Sequence, residues 1–496
     1  MRILRHNSWT AGLFVLALIT LMALAATAQD QQTQGQESQG QQNQGQQTQD
    51  QSAQPIPAYR SPLASAADNG DSDVETGPVT PDTRALAGVQ DLSLGGPTVR
   101  SYWQPHFNVF GTAESDAQET ASGYSWGTYT SVSGGVDVHR TSGNSDMTLS
   151  YTGGGMIASA TGTGNGIVQE LGFTDKFTLR RWTIKFLDST SYMPESSFGF
   201  GGLGVTTIPG AGTGIGSIFT PSQTLLTGFG QNLTEAFYTE ADLSLTPRTS
   251  LTFVGGYSLL HYFDSDLLNS GTATARVGYN YLWTRQDTLA VVYTYSAIRY
   301  SNFNQSIDYH TIQASYGRRV TQRLAFQVAA GPEIAVFQVP IAVGGSGTPA
   351  PNSTQLYWAL YTSLSYQLRR IALGLGYSHG VTAGSGVLAG SETDTVSGSA
   401  TRQMSRTFSS GITSGYSRNK GLVVGTLTPS SQTYDYWFVG AHLSHPFGPA
   451  LGLTLSYQMQ YQDSNASFCI GPTCGTSVIV HTISVGVGWH ERPLLF

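Results

Sequence analysis

The regular alternation of apolar and polar side chains constrains the fold of this chain more than any other feature of its sequence. Between residues 233 and 300, segments of about a dozen residues carry an apolar side chain at every second position, which is the repeat of a β-strand with two unlike faces. Leu251 and Phe253 lie on one face of such a segment, and Thr252 lies on the other. The tight polar turns TPRT and TRQD join these segments in pairs. This stretch therefore predicts antiparallel hairpins.

The same hairpin unit repeats to the C-terminus. The alternation predicts about 18 strands, within a range of 16–18. An even number of strands places both termini on the side of the short turns. The predicted strands are 100–112, 124–139, 146–158, 166–175, 180–192, 233–245, 250–262, 271–283, 288–300, 307–318, 322–337, 355–367, 370–380, 394–404, 406–417, 433–444, 450–461 and 478–490.

The connections between the predicted strands fall into two classes that alternate along the chain. Short turns such as TPRT and TRQD alternate with long loops. Transmembrane β-barrels have this arrangement, with short periplasmic turns on one side and longer external loops on the other. The predicted fold class is all-β, a transmembrane antiparallel up-and-down β-barrel. The long loops are 193–232, 338–354, 381–393, 418–432 and 462–477.

Composition agrees with a barrel that faces lipid outside and water inside. Charged residues make up 11% of the chain, against roughly 25% in typical soluble domains. A β-sandwich strand would also place apolar residues on one face, so alternation alone does not separate the two folds. The opposite face is small and polar over most strands, as at Gly452, Thr454 and Ser456, and this favours a hydrated interior. The net charge of −7 is mild, and without a basic cluster nucleic acid is not an expected partner.

The N-terminus has the features of a secretory signal peptide. Two arginines precede a mainly apolar run at residues 11–26, and the sequence ATA at 26–28 matches a cleavage site. An uncleaved transmembrane helix is the alternative, and it is less favoured because the apolar run is short. Residues 1–28 are therefore predicted to be removed by cleavage after Ala28. No later segment has the length of apolar sequence that a membrane-spanning helix requires.

Residues 29–98 are predicted to form a disordered periplasmic tail. Roughly half of residues 29–54 are glutamine, and such a segment has too few apolar side chains to form a core. Residues 55–98 are rich in Pro, Ala and Ser. A spacer, contact with cell-wall polymer and self-association through glutamine are the functions considered for this tail. The barrel then comprises residues 99–496.

These features resemble the bacterial outer-membrane β-barrel class, and in particular porins of about 16 to 18 strands. The resemblance covers about residues 120–496 and rests on the signal peptide, the hairpin alternation and the loop asymmetry. It implies location in the cell outer membrane, contact with outer-membrane lipid, insertion by the barrel-assembly machinery, and either a monomer or a homo-oligomer. Many such barrels end in a strand that closes on a terminal aromatic residue. Phe496 is terminal here, but Pro493 interrupts the pattern, because proline cannot donate to a β-ladder.

The two cysteines of the chain, Cys469 and Cys474, lie within the sequence FCIGPTCG. In an exported protein, a close pair separated by Gly-Pro predicts a small disulfide loop. A metal site is the weaker alternative, since zinc normally takes four ligands and no histidine lies within the loop. No metal and no cofactor are predicted.

The longest predicted loop, 193–232, is rich in glycine. Its segment FGFGGLG formally matches the G-x-G-x-x-G pattern, but no strand–helix pattern surrounds it, so a dinucleotide site is rejected. Two interpretations stay open: a loop that folds into the lumen and narrows it, and an ordinary external loop. The candidate constriction residues are Phe198, Gly199, Phe200, Gly201, Gly204, Gly212 and Gly214.

Charged residues on the predicted inner face are the candidate pore-lining groups. Rings of such charges set the ion preference of a pore. The alternative is that these side chains pair with one another or lie at the periplasmic rim. The candidates are Glu240, Asp242, Arg276, Arg323, Glu333, Arg370 and Arg402.

The serines and histidines of the chain form no spaced catalytic signature, so no enzyme is predicted. The leading hypothesis is a channel for the passive passage of small polar solutes through the outer membrane. The alternative is a non-enzymatic barrel that acts as a surface adhesin or as a component of an envelope polymer-export assembly. A soluble secreted β-sandwich is the third hypothesis.

Overall fold

The structure of the chain is a computed structural model, and it describes most of the sequence from residue 101 onward together with one short upstream segment. These residues include no helix that is long and apolar enough to cross a membrane. The described residues are 86–87, 101–115, 126–158, 165–194, 223–227, 231–264, 267–301, 305–338, 353–405, 407–422, 432–448, 450–470, 473–492 and 494–495.

Eighteen long β-strands and one short strand make up this part of the chain. Successive strands are joined by short turns at one end of the molecule, called here the turn side, and mostly by longer connections at the other, the loop side. The strands are β1 (Tyr102–Ser115), β2 (Trp126–Ser142), β3 (Ser145–Ala158), β4 (Gly166–Thr178), β5 (Trp182–Met193), β6 (Asn232–Thr246), β7 (Thr249–Tyr262), β8 (Ser270–Leu282), β9 (Asp287–Tyr300), β10 (Ser306–Arg319), β11 (Leu324–Gln338), β12 (Ser353–Gln367), β13 (Ile371–Thr382), β14 (Ser391–Ser405), β15 (Phe408–Gly421), β16 (Thr433–Phe447), β17 (Leu451–Ile470), β18 (Thr473–His490) and β19 (Leu494–Leu495).

The strands form one closed antiparallel barrel. Each long strand pairs with the next along the chain, and β1 pairs with both β2 and β18, so that His106 lies opposite His490. The short β19 continues the ladder of β18 along β1, with Leu494 opposite Trp103. Closure pairs both sides of every long strand in the described chain, which removes the exposed edges of an open sheet. The predicted all-β barrel of about 18 strands is confirmed.

The outer face of the barrel is apolar across its middle and aromatic towards both ends. Val439, Leu455 and Val485 lie on three neighbouring strands, and all three are exposed on this face. An exposed apolar belt of this kind fits lipid tails, and aromatic residues flank such belts at both interfaces of a membrane. The outward tryptophans are Trp103, Trp182, Trp283 and Trp489 near the turn side, and Trp126, Trp358 and Trp437 nearer the loop side.

A row of charged side chains lies on the outer face at the loop-side end of β14 to β17. Asp394 lies opposite Arg418, Arg418 lies opposite Asp435, and Asp435 lies opposite Asp463. Tyr416 lies on the same face and donates from its hydroxyl to Asp435 Oδ1 at 2.6 Å. Outward charges are tolerated near the membrane interfaces and destabilise a barrel at the bilayer midplane. The row therefore marks where the apolar belt ends on the loop side.

The connection between β17 and β18 differs from the predicted long loop 462–477. Both strands extend beyond the apolar belt, to Ile470 and from Thr473, with an irregularity in pairing after Asp463. The hydrogen bonds of an antiparallel ladder join backbone groups, so polar residues can continue a hairpin into water without apolar alternation. The loop prediction was therefore wrong at this hairpin.

Some predictions fall on residues that the structure does not describe. The signal peptide 1–28 and nearly all of the tail 29–98 are among them. Cys469 and Cys474 lie opposite each other in the register of β17 and β18, but their side chains lie outside the described residues. The disulfide therefore stays a prediction.

Candidate functional site

The inner wall of the barrel is lined by polar and small side chains. Asn108, Thr252, Ser417 and Gln462 all face inward and are fully shielded by their neighbours. The apolar side chains of the same strands face outward because successive residues of a strand point to opposite faces. The wall is therefore polar, and its less shielded inward side chains, such as those of Asp137 and Asp146, can accept hydrogen bonds from water or from a polar solute.

Three of the predicted pore-lining residues lie together on this wall. Glu240 and Asp242 of β6 and Arg276 of β8 are buried inward-facing side chains. Lys185 of β5 lies directly opposite Glu240, and its Nζ donates to Glu240 Oε1 at 2.8 Å. The register across β5 to β8 runs Lys185, Glu240, Val254 and Arg276, which places one carboxylate between two cations. Their effect on ion preference stays a prediction.

Hydrogen bonds to wall hydroxyls orient these charged groups. Thr252 Oγ1 donates to Asp242 Oδ1 at 2.5 Å, and Asn280 Nδ2 donates to Thr252 Oγ1 at 3.0 Å. Arg276 Nε donates to Thr294 Oγ1 at 3.1 Å. Charges held in this way keep a constant position along the lumen.

Two residues of the predicted tail, Leu86 and Ala87, lie against the same part of the wall. Ala87 N donates to Asn280 Oδ1 at 2.9 Å, and Ala87 O accepts from Arg276 Nη1 at 3.4 Å. Leu86 is 2% exposed and Ala87 is 0% exposed. Sequence reasoning missed this contact. The available signal was the apolar run ALAGV at residues 85–89, which stands out in a polar tail.

Glu333, the fourth inward-facing candidate, lies on β11 and holds the loop-side end of β13. Val381 N donates to Glu333 Oε1 at 2.8 Å, and Thr311 Oγ1 donates to Glu333 Oε2 at 3.1 Å. Backbone pairing between β12 and β13 ends at His379. Just beyond that point, the Glu333 carboxylate binds the backbone of β13. The following connection starts from this anchored position.

The connection between β13 and β14, residues 383–390, folds into the lumen. Tyr300 donates from its hydroxyl to Ala383 O at 3.0 Å, and Tyr262 donates to Ser385 O at 3.3 Å. Both tyrosines are inward-facing wall residues at the loop side. The connection therefore narrows the loop-side half of the barrel.

A second segment, residues 223–227 of the long connection between β5 and β6, meets this inward fold. Thr224 N donates to Ser385 Oγ at 2.9 Å. Leu226 N donates to Gln462 Oε1 of the wall at 2.7 Å. Part of the predicted loop 193–232 thus lies inside the barrel. Its candidate constriction residues, from Phe198 to Gly214, lie outside the described residues, and their role stays a prediction.

Three of the predicted pore-lining residues lie elsewhere. Arg323 is exposed in the turn between β10 and β11, and Arg370 is exposed in the turn between β12 and β13. Arg402 lies opposite Ile371, on the outward face of β14 that it shares with Val396. The assignment of these arginines to the pore wall was wrong. Small residues occupy both faces of β14, so alternation is weak there, and long basic side chains next to turns reach water from either face.

Sequence reasoning missed a second group of inward polar side chains, two histidines and two aspartates on β1 to β3. His106 Nδ1 lies 3.3 Å from Asp137 Oδ2, and His139 Nε2 lies 2.7 Å from Asp146 Oδ1. The alternation of valines with polar residues in the predicted strand 124–139 was the signal that could have found them. Among the residues that the structure describes, no group of three or more His, Cys, Asp or Glu could hold a metal ion.

Acidic side chains outnumber basic side chains on the inward positions of the described strands. The described wall therefore carries an excess of formal negative charge, which favours cations in a water-filled lumen. The inward acidic residues are Glu114, Asp137, Asp146, Glu170, Glu240, Asp242 and Glu333, and the inward basic residues are Lys176, Lys185, Arg276 and Arg319.

No protein-family model matches the chain, and no curated protein matches its sequence. Solved structures similar to it include OpdQ of Pseudomonas aeruginosa, with a TM-score of 0.40 and 12% identity over 79% of this chain and 99% of that chain. OccAB3 of Acinetobacter baumannii has a TM-score of 0.38 and 9% identity over 79% and 99%. The outer membrane protein OpdK of Pseudomonas aeruginosa has a TM-score of 0.35 and 10% identity over 79% and 99%. The fold assignment rests on the strand pairing and not on these similarities.

Proposed function

We propose that the protein is an outer-membrane channel through which small polar solutes diffuse passively. The observation that supports this most directly is a closed barrel with an apolar outer belt and a charged, hydrogen-bonding inner wall. Polar groups in a dry interior without partners would destabilise the fold, whereas a wall facing water satisfies them. A water-filled, membrane-spanning barrel is a path for polar solutes.

The inward segments support a restriction to small solutes. Residues 383–390 and 223–227 both lie inside the loop-side half of the barrel, where Thr224 and Ser385 contact each other. Two chain segments in one cross-section leave less room for a passing molecule. We therefore include size selection at the loop side in the proposed function.

The outer face supports the proposed location and partners. A belt of exposed apolar residues flanked by tryptophans fits a bilayer. We propose outer-membrane lipid as the surrounding medium and the barrel-assembly machinery as the factor that inserts the chain.

Planar-bilayer recording of the full-length folded protein tests this function. We expect discrete conductance steps in KCl, with a reversal potential that indicates a preference for cations. Folding is verified first, by a heat-dependent shift in gel mobility. The controls are detergent without protein and protein unfolded by heating, neither of which should produce steps. A folded preparation that inserts into bilayers and never conducts would overturn the proposal.

A further inference from the structure

We propose that the inner wall of β8 to β10 carries a peptide-binding site, which Leu86 and Ala87 of the same chain occupy. The ligand class is a peptide segment with a leucine-sized side chain followed by a small apolar one. A consequence, which rests on the proposed channel function, is that Leu86 and Ala87 partly close the turn-side half of the lumen.

Wall side chains bind both hydrogen-bonding groups of the Ala87 backbone. The carboxamide oxygen of Asn280 accepts from Ala87 N at 2.9 Å, and the guanidinium of Arg276 donates to Ala87 O at 3.4 Å. Asn280 and Arg276 are themselves buried, at 1% and 4% exposed. An acceptor for N–H beside a donor for C=O matches the polarity of a peptide backbone. The site therefore recognises the main chain of its ligand.

Two glycines make room in the wall for the side chains of the segment. A Cβ on Gly278 would lie 2.1 Å from the Ala87 Cβ, and a Cβ on Gly317 would lie 2.8 Å from Leu86 Cδ2. Both distances are shorter than a van der Waals contact between carbon atoms. Apolar wall residues, including Val292, complete the contact. The depth of the wall at these glycines thus sets the size of the two ligand side chains.

The site lies in the turn-side half of the barrel. Asn280 is close to the turn-side end of β8 at Leu282, and Ala290 is close to the turn-side start of β9 at Asp287. The first strand, β1, also starts on the turn side, at Tyr102. A segment bound at this position occupies part of the lumen opposite the end that residues 383–390 narrow.

Protection of a thiol at position 86 tests occupancy of the site without measuring current. In the full-length folded chain carrying C469S and C474S, Leu86→Cys should react with a water-soluble maleimide on the order of tenfold more slowly than the same chain after unfolding. Adding Gly278→Ala should remove this protection, because its Cβ would overlap Ala87. The matched control is Gly255→Ala on β7, whose Cβ would meet nothing within 4 Å, and it should keep the protection. Rapid reaction in the folded parent, or protection that survives both Gly278→Ala and Gly278→Leu, would overturn the proposal.

Single-channel recording tests the closure. Gly278→Ala should raise the conductance roughly twofold over the parent and over Gly255→Ala, because conductance follows the open cross-section. Equal conductance in all three proteins would overturn the closing role. If no variant conducts while the thiol at position 86 is protected, the channel function fails and the binding site stands.

An added peptide tests the ligand class. Ala87→Leu should release the segment, since the larger side chain cannot fit against Gly278, while the wall is unchanged. The peptide TRALAGVQ, which copies residues 83–90, should then lower the conductance from the turn side towards the parental value. The same peptide with leucine at the position of Ala87 should have no effect. Equal action of both peptides, or action of neither, would show that the wall does not select this segment.

Discussion

Single charged residues of the inner wall are held in defined positions by their neighbours. Lys185 lies within 2.8 Å of Glu240, and Arg276 donates to Thr294 on the adjacent strand. A fixed charge acts on a passing ion through Coulomb attraction or repulsion, and the wall determines the distance. Substitution of a single charged residue of the inner wall should therefore change the ion preference of the channel.

Glu240→Gln should weaken the preference for cations, and Lys185→Gln should strengthen it. A unit charge about 6 Å from a passing ion contributes about 0.7 kcal/mol in water, equivalent to about a threefold change in local ion concentration. Reversal potentials across a KCl gradient measure the change. Glu235→Gln is the control, because Glu235 lies on the outward face of the same strand and its loss should leave the potential unchanged. A shift of the same sign in both lumen variants would contradict the assignment.

At the scale of elements, the connection 383–390 depends on a glycine to lie inside the barrel. Gly386 has a φ of +81°, and a Cβ there would lie 2.2 Å from the ring of Tyr262. Its carbonyl accepts from Leu268 N at 2.7 Å. A left-handed backbone and a close ring contact both favour glycine. Gly384 and Gly390 of the same connection also have positive φ, so Gly386 is one of three glycines that permit it to fold inward.

Gly386→Ala should therefore displace this connection and widen the loop side. We expect a larger conductance and faster hydrogen exchange at residues 383–390, measured by mass spectrometry. Gly143→Ala is the matched control, because Gly143 also has a positive φ, +55°, but a Cβ there would meet nothing within 4 Å. The control carries a similar backbone penalty of roughly 1–2 kcal/mol without the steric clash. An equal gain of conductance in both variants would mean that the Tyr262 contact is not what holds the connection.

At the scale of the whole molecule, stability depends on a closed ladder and on the match between its outer belt and lipid. Leu455 lies near the middle of this belt, whereas Leu451 lies at the turn-side end of the same strand, opposite Trp489. Both side chains are exposed on the outer face. Position along the strand therefore corresponds to depth in the bilayer.

Leu455→Arg should lower the free energy of unfolding by about 2–4 kcal/mol, and Leu451→Arg by about 0–1 kcal/mol, because a charge is least tolerated at the bilayer midplane. Denaturant titration of barrels refolded into lipid vesicles measures both values. The two variants have the same chemistry on one strand and differ only in depth. Equal losses would contradict the position of the belt.

Strands with strong alternation were predictable to within a few residues. The predicted strand 250–262 matches β7 (Thr249–Tyr262), and the inward faces of Glu240 and Arg276 followed from the same period. Arg402 was assigned to the wrong face because β14 carries small residues on both sides. The hairpin beyond Asp463 was missed because its backbone pairing continues where apolar alternation stops.

The sequence by itself determined the hairpin repeat, the strand number and the side on which the first strand starts and the last long strand ends, because face alternation and turn length are local properties of a strand. Only the tertiary structure decided what occupies the lumen. The contacts of Ala87 with Asn280 and of Leu226 with Gln462 join residues 193 and 236 positions apart. No local period encodes such contacts, since they arise only after closure brings distant strands around one interior.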